Sequence, residues 1–437
     1  MILVGLKMLI SPSKPRILTP TAERIPVSLH PGQFEVVKHR ARFKVICAGR
    51  RWGKSRCSMA EIIDKAQYPK QKVWYVAPSY RMAKQIIWYD LIDMIPRNWM
   101  KKPPNETLLQ IHLVNNTLIE LKGVDNPDSL RGVGLNYIIM DEVQDMKAEV
   151  WTQILRPTLA TTGGHAMMIG TPKGYNHFYK LWLLGQNPQN QRSGRWMSWQ
   201  FPTLSSPFVP LHEIEQARQD MDERSFNQEF NASFENVSGK VYYPFDPNVH
   251  IVSCEFNPDL PIWVGQDFNI KPMCAVIMQP QLNGELWVID EIVKNDSNVE
   301  EICDEIERRY WRYARNIVIY PDPAGGNRQH ARGESSLTVF RERGFKKIKY
   351  RKKHPFVQDR VNSVNRLLRS ADGTVRLRVT PKARFLIESL EQTLYKDDGS
   401  FEIDKSLDVY HPTDALGYPL EFEFSAKGKA EVVGASF

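Results

Sequence analysis

The chain has 437 residues, enough for two or three domains, with 42% hydrophobic and 25% charged side chains, the proportions of an ordinary globular protein. It holds no run of eighteen apolar residues, so no membrane-spanning helix is expected. The net charge of +8 favours a polyanionic partner, and five cysteines without a C-x-x-C pair argue for a reducing compartment and against a disulfide framework or zinc site.

The start, MILVGLKMLI, lacks the basic lead-in and small-residue cleavage site of a signal peptide. Residues 1–29 are therefore expected to form an unprocessed, proline-rich arm. Gln33 follows, fifteen residues before a glycine-rich loop; it is either an adenine reader upstream of a phosphate site or a solvated loop residue. The apolar run FKVIC then leads into AGRRWGKS and a helix-like stretch. Strand, glycine-rich turn and helix are the context of a phosphate-binding loop, here Ala48, Gly49, Arg50, Arg51, Trp52, Gly53, Lys54 and Ser55. Its backbone N–H groups and the positive helix end make an anion cradle. Lys54 is expected on the β- and γ-phosphates of ATP and Ser55 on Mg²⁺.

A buried strand, KVWYVAPS, an amphipathic helix beginning at Tyr80, and a hairpin turning at Asn115 and Asn116 come next. The run NYIIMDE reads as a buried parallel strand whose carboxylates emerge at its C-terminal end. Asp141 is expected in the Mg²⁺ shell and Glu142 on the attacking water. A further strand, HAMMIGTP, places Thr171 where a sensor of the γ-phosphate would stand. Residues 185–194 read as a polar loop, residues 211–230 as one helix, and residues 231–250 as a hinge with the first strand of a second half. The domain boundary is expected near 235–245.

The second half has a strand ending near Asp267, a hairpin turning at Asn283-Gly284 and carrying Asp290, then a helix and a strand that leads to Asp322. Residues 341–369 hold eleven Lys or Arg against Glu342 and Asp359 alone. The stretch YHPTDALGYPLEF places Asp414 at the start of a helix. Both halves are expected to be α/β.

Taken in order, Gln33, AGRRWGKS, Leu130-Arg131-Gly132, IIMDE, GTPKG, GQDF, YPDPAG and HPTDALGY resemble the large terminase subunit of tailed bacteriophages, from about residue 30 to 420. The resemblance implies an N-terminal P-loop ATPase domain of the ASCE type over 30–238 and a C-terminal RNase H-like nuclease domain over 239–424. An arm, 1–29, and a tail, 425–437, flank them; the tail either docks on a portal or is disordered. It further implies a viral DNA-packaging motor that translocates double-stranded DNA into a prohead and cuts concatemers. Arg50 would contact the γ-phosphate; Arg131 would reach a neighbour's ATP site or else pair with a local carboxylate. Asp267, Asp322 and Asp414 would hold two Mg²⁺ or Mn²⁺ ions, with Asp290 as a structural rival. The basic stretch, through Lys346, Lys347, Arg351, Lys352 and Lys353, would track DNA. Implied partners are the portal protein, a small terminase subunit and further copies in a ring, a pentamer on the prohead, in the host cytoplasm and without a membrane. Asn327 and Arg328 follow no assignable pattern. The competing reading is a helicase-like, DNA-stimulated ATPase whose second domain only binds nucleic acid. A kinase or GTPase lacks support, for want of an N-K-x-D motif and of any role for the second half.

Overall fold

The computed structural model describes residues 6–10, 25–235, 239–323, 335–396, 401–406 and 408–425. Most of the N-terminal arm, the tail beyond Ser425, and Asn327 with Arg328 lie outside these. The chain divides into two compact units, Met1–Ile214 with Asn227–Asn236, and Glu215–Phe226 with Val237–Phe437.

In the first unit, β1 (Leu6–Ile10) and β2 (Ile25–Leu29) pair antiparallel. The main sheet contains β3 (Phe43–Ala48), β4 (Lys72–Ala77), β5 (Gln110–His112), β6 (Leu118–Gly123), β7 (Tyr137–Asp141), β8 (His165–Gly170) and β9 (Trp196–Phe201). Its order is β5-β6-β4-β7-β8-β3-β9, parallel except for β5. β8 thus separates β3 from β7, the additional strand of the ASCE type. Because these three strands are parallel, their C-terminal ends share one edge. Alternation along β3 explains its burial: Phe43, Val45 and Cys47 face one apolar cluster, Ile46 and Ala48 the other. Lys44, on the second face, is buried against Glu61 and donates to the carbonyl of Val36 at 2.8 Å. Tyr137 donates to the same Glu61 at 3.1 Å, so a charge inside the sheet is paired and hydrogen-bonded.

The second sheet contains β10 (Ile262–Asp267), β11 (Met273–Pro280), β12 (Leu286–Lys294), β13 (Ile317–Pro321), β14 (Lys347–Ile348) and β15 (Leu377–Val379). The order is β14-β13-β10-β11-β12-β15. β10-β11-β12 is an antiparallel meander, and β13 and β14 add in parallel on the other side of β10; this is the RNase H-like arrangement. The C-terminal helix His411–Phe424 lies on β10. Gly265 permits this, since a Cβ there would stand 2.0 Å from the carbonyl oxygen of Ala415.

Both halves are α/β, as the sequence indicates. Three local expectations need correction. The polar loop contains a helix, Pro188–Arg192, capped by Asn187, whose side chain accepts from Gln189 N–H, with proline at the first turn where no N–H is missed. The single helix over 211–230 is two, Leu211–Asp220 and Glu223–Glu229. Asp222 interrupts it, its carboxylate accepting from the N–H of Ser225 and the hydroxyl of Tyr243. The expected strand after the hinge is one isolated bridge, Lys240 to Leu394, followed by the short helix Pro247–His250. No helix among the described residues is long and apolar enough to cross a membrane.

Candidate functional site

The first site lies at the C-terminal edge of β3, β8 and β7. β3 ends at Ala48, and α2 (Lys54–Ala66) begins soon after, with Gly53 at φ 105° as the turn. A Cβ on Gly53 would meet Gln33 Nε2 at 2.3 Å, so both the conformation and the space call for glycine. Lys54 Nζ donates to Thr171 Oγ1 at 2.8 Å and to the carbonyls of Ala48 and Gly49 at 3.2 and 3.4 Å. Burial lowers the pKa of Lys54, and the charges of Glu142 and Asp141 oppose that shift. An ammonium curled back onto its own loop stands where an anionic phosphate would complete it.

Asp141 ends β7. Tyr75 on β4 donates its hydroxyl to Asp141 Oδ2 at 2.5 Å, and the N–H of Glu142 donates to Oδ1 at 2.9 Å. Burial, then the charge of Glu142, raises the Asp141 pKa to about 6. Glu142 adopts left-handed φ (52°) and accepts from Gln144 at 2.6 Å. A buried carboxylate beside a second one is a fitting donor for a divalent cation, which would relieve both.

Gln33 sits in α1 (Pro31–Lys38) and is buried. Its Nε2 donates to the carbonyl of Gly53 at 2.9 Å and its Oε1 accepts from His30 N–H at 3.1 Å. One hydrogen and one lone pair of the amide remain. Trp52 is packed between His30 and Phe201, with the Phe201 ring stacked at 4.7 Å, so it anchors the loop. Arg50 is exposed and pairs with Glu229. Arg51 is exposed at φ 62°. Arg131 is exposed, with Nε 3.3 Å from Asp128 Oδ1.

The second site is at the end of β10. Asp322 follows β13, and its N–H donates to the carbonyl of Gln266 at 2.8 Å, which sets it beside Asp267. Asp414, in the first turn of the C-terminal helix, is close enough to Asp267 for that charge, after burial, to raise its pKa, with Arg360 opposing. Each aspartate faces a basic side chain. His411 Nδ1 lies 2.8 Å from Asp267 Oδ2, His354 Nε2 lies 3.0 Å from Asp322 Oδ1, and Arg360 Nη1 lies 3.2 Å from Asp414 Oδ1. Burial lowers the pKa of His411, but its bond to Asp267 outweighs that and the net shift is upward. Among the described residues no three His, Cys, Asp or Glu side chains are grouped closely enough to hold a metal ion. The donor chemistry is nevertheless that of a hard-cation site, with hard oxygens on adjacent strand ends and an opposing helix. Asp290 is bonded to Arg309 and to the hydroxyl of Tyr310, each at 2.8 Å.

Of the basic stretch, Lys346, Lys347, Lys352 and Lys353 are exposed. Arg351 is turned inward, with Nε 2.9 Å from Glu421 Oε2. Arg343, Lys349, Arg360 and Arg366 also pair with carboxylates of the same unit.

Sequence reasoning missed Tyr75, Glu229, His354, His411 and Arg360. Two of these left a signal. His411 is three residues before Asp414, one helical turn away, and Arg360 falls on the apolar stripe of Val364, Leu367 and Leu368.

No family model matches the chain. It is 26% identical over 308 residues to the large terminase subunit of Thermus virus P23-45, covering 59% of this chain and 63% of that protein. It is 30% identical over 215 residues to that of Escherichia phage T5, covering 48% of each. The matched stretch thus spans about half to three-fifths of these curated relatives. In fold it resembles the large terminase of a thermophilic bacteriophage, with a TM-score of 0.59 and 14% identity, over 90% of this chain and 99% of that one. That phage's protein has also been solved with ADP.

Proposed function

We propose that this chain, a relative of the large terminase subunits of phages, is a DNA-packaging motor that couples ATP hydrolysis to translocation of double-stranded DNA and cuts that DNA with a second, metal-dependent centre. The observation that supports it most is the likeness in fold to one large terminase across 90% of the chain, with a polar cluster at the strand ends of each sheet.

In this reading residues 30–238 form the ATPase and 239–424 the nuclease. The backbone of residues 48–53 and Lys54 hold the phosphates, and Gln33 offers its remaining donor and acceptor to adenine. Mg²⁺ held by Ser55 and Asp141 would neutralise phosphate charge. Glu142 orients the attacking water, Thr171 registers the γ-phosphate through its bond to Lys54, and Arg50 leaves Glu229 for that phosphate. Arg131 acts on a neighbouring copy, because it is exposed and, among the described residues, pairs with Asp128, which is more exposed still. In the nuclease, Asp267, Asp322 and Asp414 would hold two Mg²⁺ or Mn²⁺ ions, which supply the Lewis acid for in-line displacement at phosphorus. The exposed Lys346, Lys347, Lys352 and Lys353 attract the DNA backbone. Partners in this scheme are the portal, a small terminase subunit and further copies in a pentameric ring, transiently on the prohead in the host cytoplasm.

The test is ATPase activity and metal-dependent cleavage of plasmid DNA, assayed on one preparation. Both activities are expected; ATP turnover without any cleavage in Mg²⁺ or Mn²⁺ would leave only a translocase.

A further inference from the structure

Arg360 is the least expected residue of the second unit. It lies on the helix Val357–Leu368 at a position otherwise given to apolar side chains, and it is 5% exposed. Its Nη1 is 3.2 Å from Asp414 Oδ1, but without the alignment of a hydrogen bond. Neither Nη1 nor Nε has a hydrogen-bond partner among the described residues. The guanidinium carbon is 4.8 Å from the centre of the Tyr418 ring. Burial works against the charge of Arg360, and its surroundings, Asp414 first, then Tyr418, Tyr242 and Asp322, together more than offset it.

A buried guanidinium with unmade hydrogen bonds is costly unless charge compensates. Arg351 shows what a fixed structural pair looks like in the same unit. Its Nε donates to Glu421 Oε2 at 2.9 Å and its Nη2 to the Glu421 carbonyl at 3.3 Å. Arg360 has no such directional grip; it is held by the field of the aspartates and by the face of an aromatic ring. A cation held by charge alone is one that another cation can replace.

We propose that Arg360 and a divalent metal ion are alternative counter-ions of Asp414, so that Arg360 balances the carboxylates in the unloaded site and sets the threshold for loading it. The proposal rests on the nuclease reading of this site. Arg360 is here a positioning residue: it lies against Asp414, 3.2 Å away, and competes with the ion for the same carboxylate. Removing its charge should therefore weaken the metal-free fold while tightening metal binding, two effects that a purely structural arginine would not combine.

The experiment measures Mn²⁺ binding to the full chain, without ATP or DNA, by the electron paramagnetic resonance of free Mn²⁺, together with thermal unfolding. Sites lost in the corresponding Asp267→Ala chain are assigned to this centre. Arg360→Gln is expected to bind Mn²⁺ about tenfold more tightly than the wild type, to melt lower without metal, and to recover on adding it. Arg360→Lys keeps the charge and should stay close to wild type in affinity. If Arg360→Gln is unfolded without metal, refolding on Mn²⁺ supports the proposal and failure to refold overturns it. Affinity equal to or weaker than wild type, in a folded variant, overturns the competition alone. Absence of any Asp267-dependent Mn²⁺ site in both chains overturns the nuclease reading and this proposal with it.

Discussion

Tyr75 and Asp141 are joined across neighbouring strands by a 2.5 Å hydrogen bond from the phenol to the carboxylate. The bond spans β4 and β7, which are adjacent and parallel, with Tyr75 in register with Ile139, two residues before Asp141, so the phenol reaches along the sheet to the strand end. It holds one oxygen of a buried carboxylate at a fixed place beside the phosphate loop. Tyr75→Phe is expected to fold normally and to weaken Mg²⁺-dependent ATP turnover about tenfold, as one charge-assisted hydrogen bond would. A titration of activity against Mg²⁺ checks it, and the loss should shrink at high Mg²⁺.

The same burial fixes a pH effect. The Asp141 carboxyl is raised from 3.8 to about 6 in the folded chain, first by desolvation. A raised carboxyl binds more protons folded than unfolded, so its contribution to stability is full below 3.8 and is lost as pH rises through about 6. Asp141→Asn, without metal or nucleotide, should therefore be more stable than wild type at pH 7.5, by at most about 3 kcal/mol. The gain should vanish near pH 4, as followed by chemical denaturation at both pH values.

Glu142→Gln should lower ATP hydrolysis by on the order of 10³ while ATP binding survives, because the contacts to phosphate come from the loop backbone and Lys54, whose charge Asp141 still supports. Equilibrium binding of a fluorescent ATP analogue beside steady-state turnover separates the two. Hydrolysis at the wild-type rate would remove Glu142 from the mechanism.

For Arg131, exposure and a loose partner lead to a concentration effect. If it serves a neighbouring copy, turnover per chain should fall steeply on dilution, and Arg131→Ala should lose roughly 10³–10⁵ in rate. Asp128→Ala, which frees the arginine, should lose little. Flat specific activity across a dilution series would confine Arg131 to its local pair.

Within the basic stretch the residues should separate into two classes. Neutralising Lys346, Lys347, Lys352 and Lys353 together should flatten the salt dependence of DNA affinity with little change in melting temperature. Arg351→Gln should instead destabilise the fold by roughly 3 kcal/mol, by leaving Glu421 buried without its partner. Filter binding at several salt concentrations and thermal unfolding tell the classes apart.

The legible part of this molecule was the part written locally. Strand, turn and helix around Lys54, the apolar run into Asp141, and the hairpin at Asn283-Gly284 are each set by neighbours in sequence, and each stands where it was expected. What escaped were partners separated by long stretches of chain. Nothing near Asp322 in sequence announces His354, and nothing near Asp414 announces Arg360, because elements distant in sequence, in the second case two packed helices, bring these together only after folding. The broken helix at Asp222 escaped for a related reason: a tyrosine twenty-one residues on competes for its carboxylate.

Gly265 carries a consequence for how damage to this protein would present itself. The C-terminal helix rests directly on the strand at that glycine, with the carbonyl of Ala415 only 2.0 Å from where a Cβ would be. Even alanine would lever the helix outward and draw Asp414 away from Asp267. In a mutational screen for cleavage, Gly265→Ala would then look like the loss of an acid, although every acid is still present. Added metal would not repair it, since the fault is one of spacing and not of charge. A screen that scored only the carboxylates would miss that the spacing between strand and helix is encoded by a residue with no side chain.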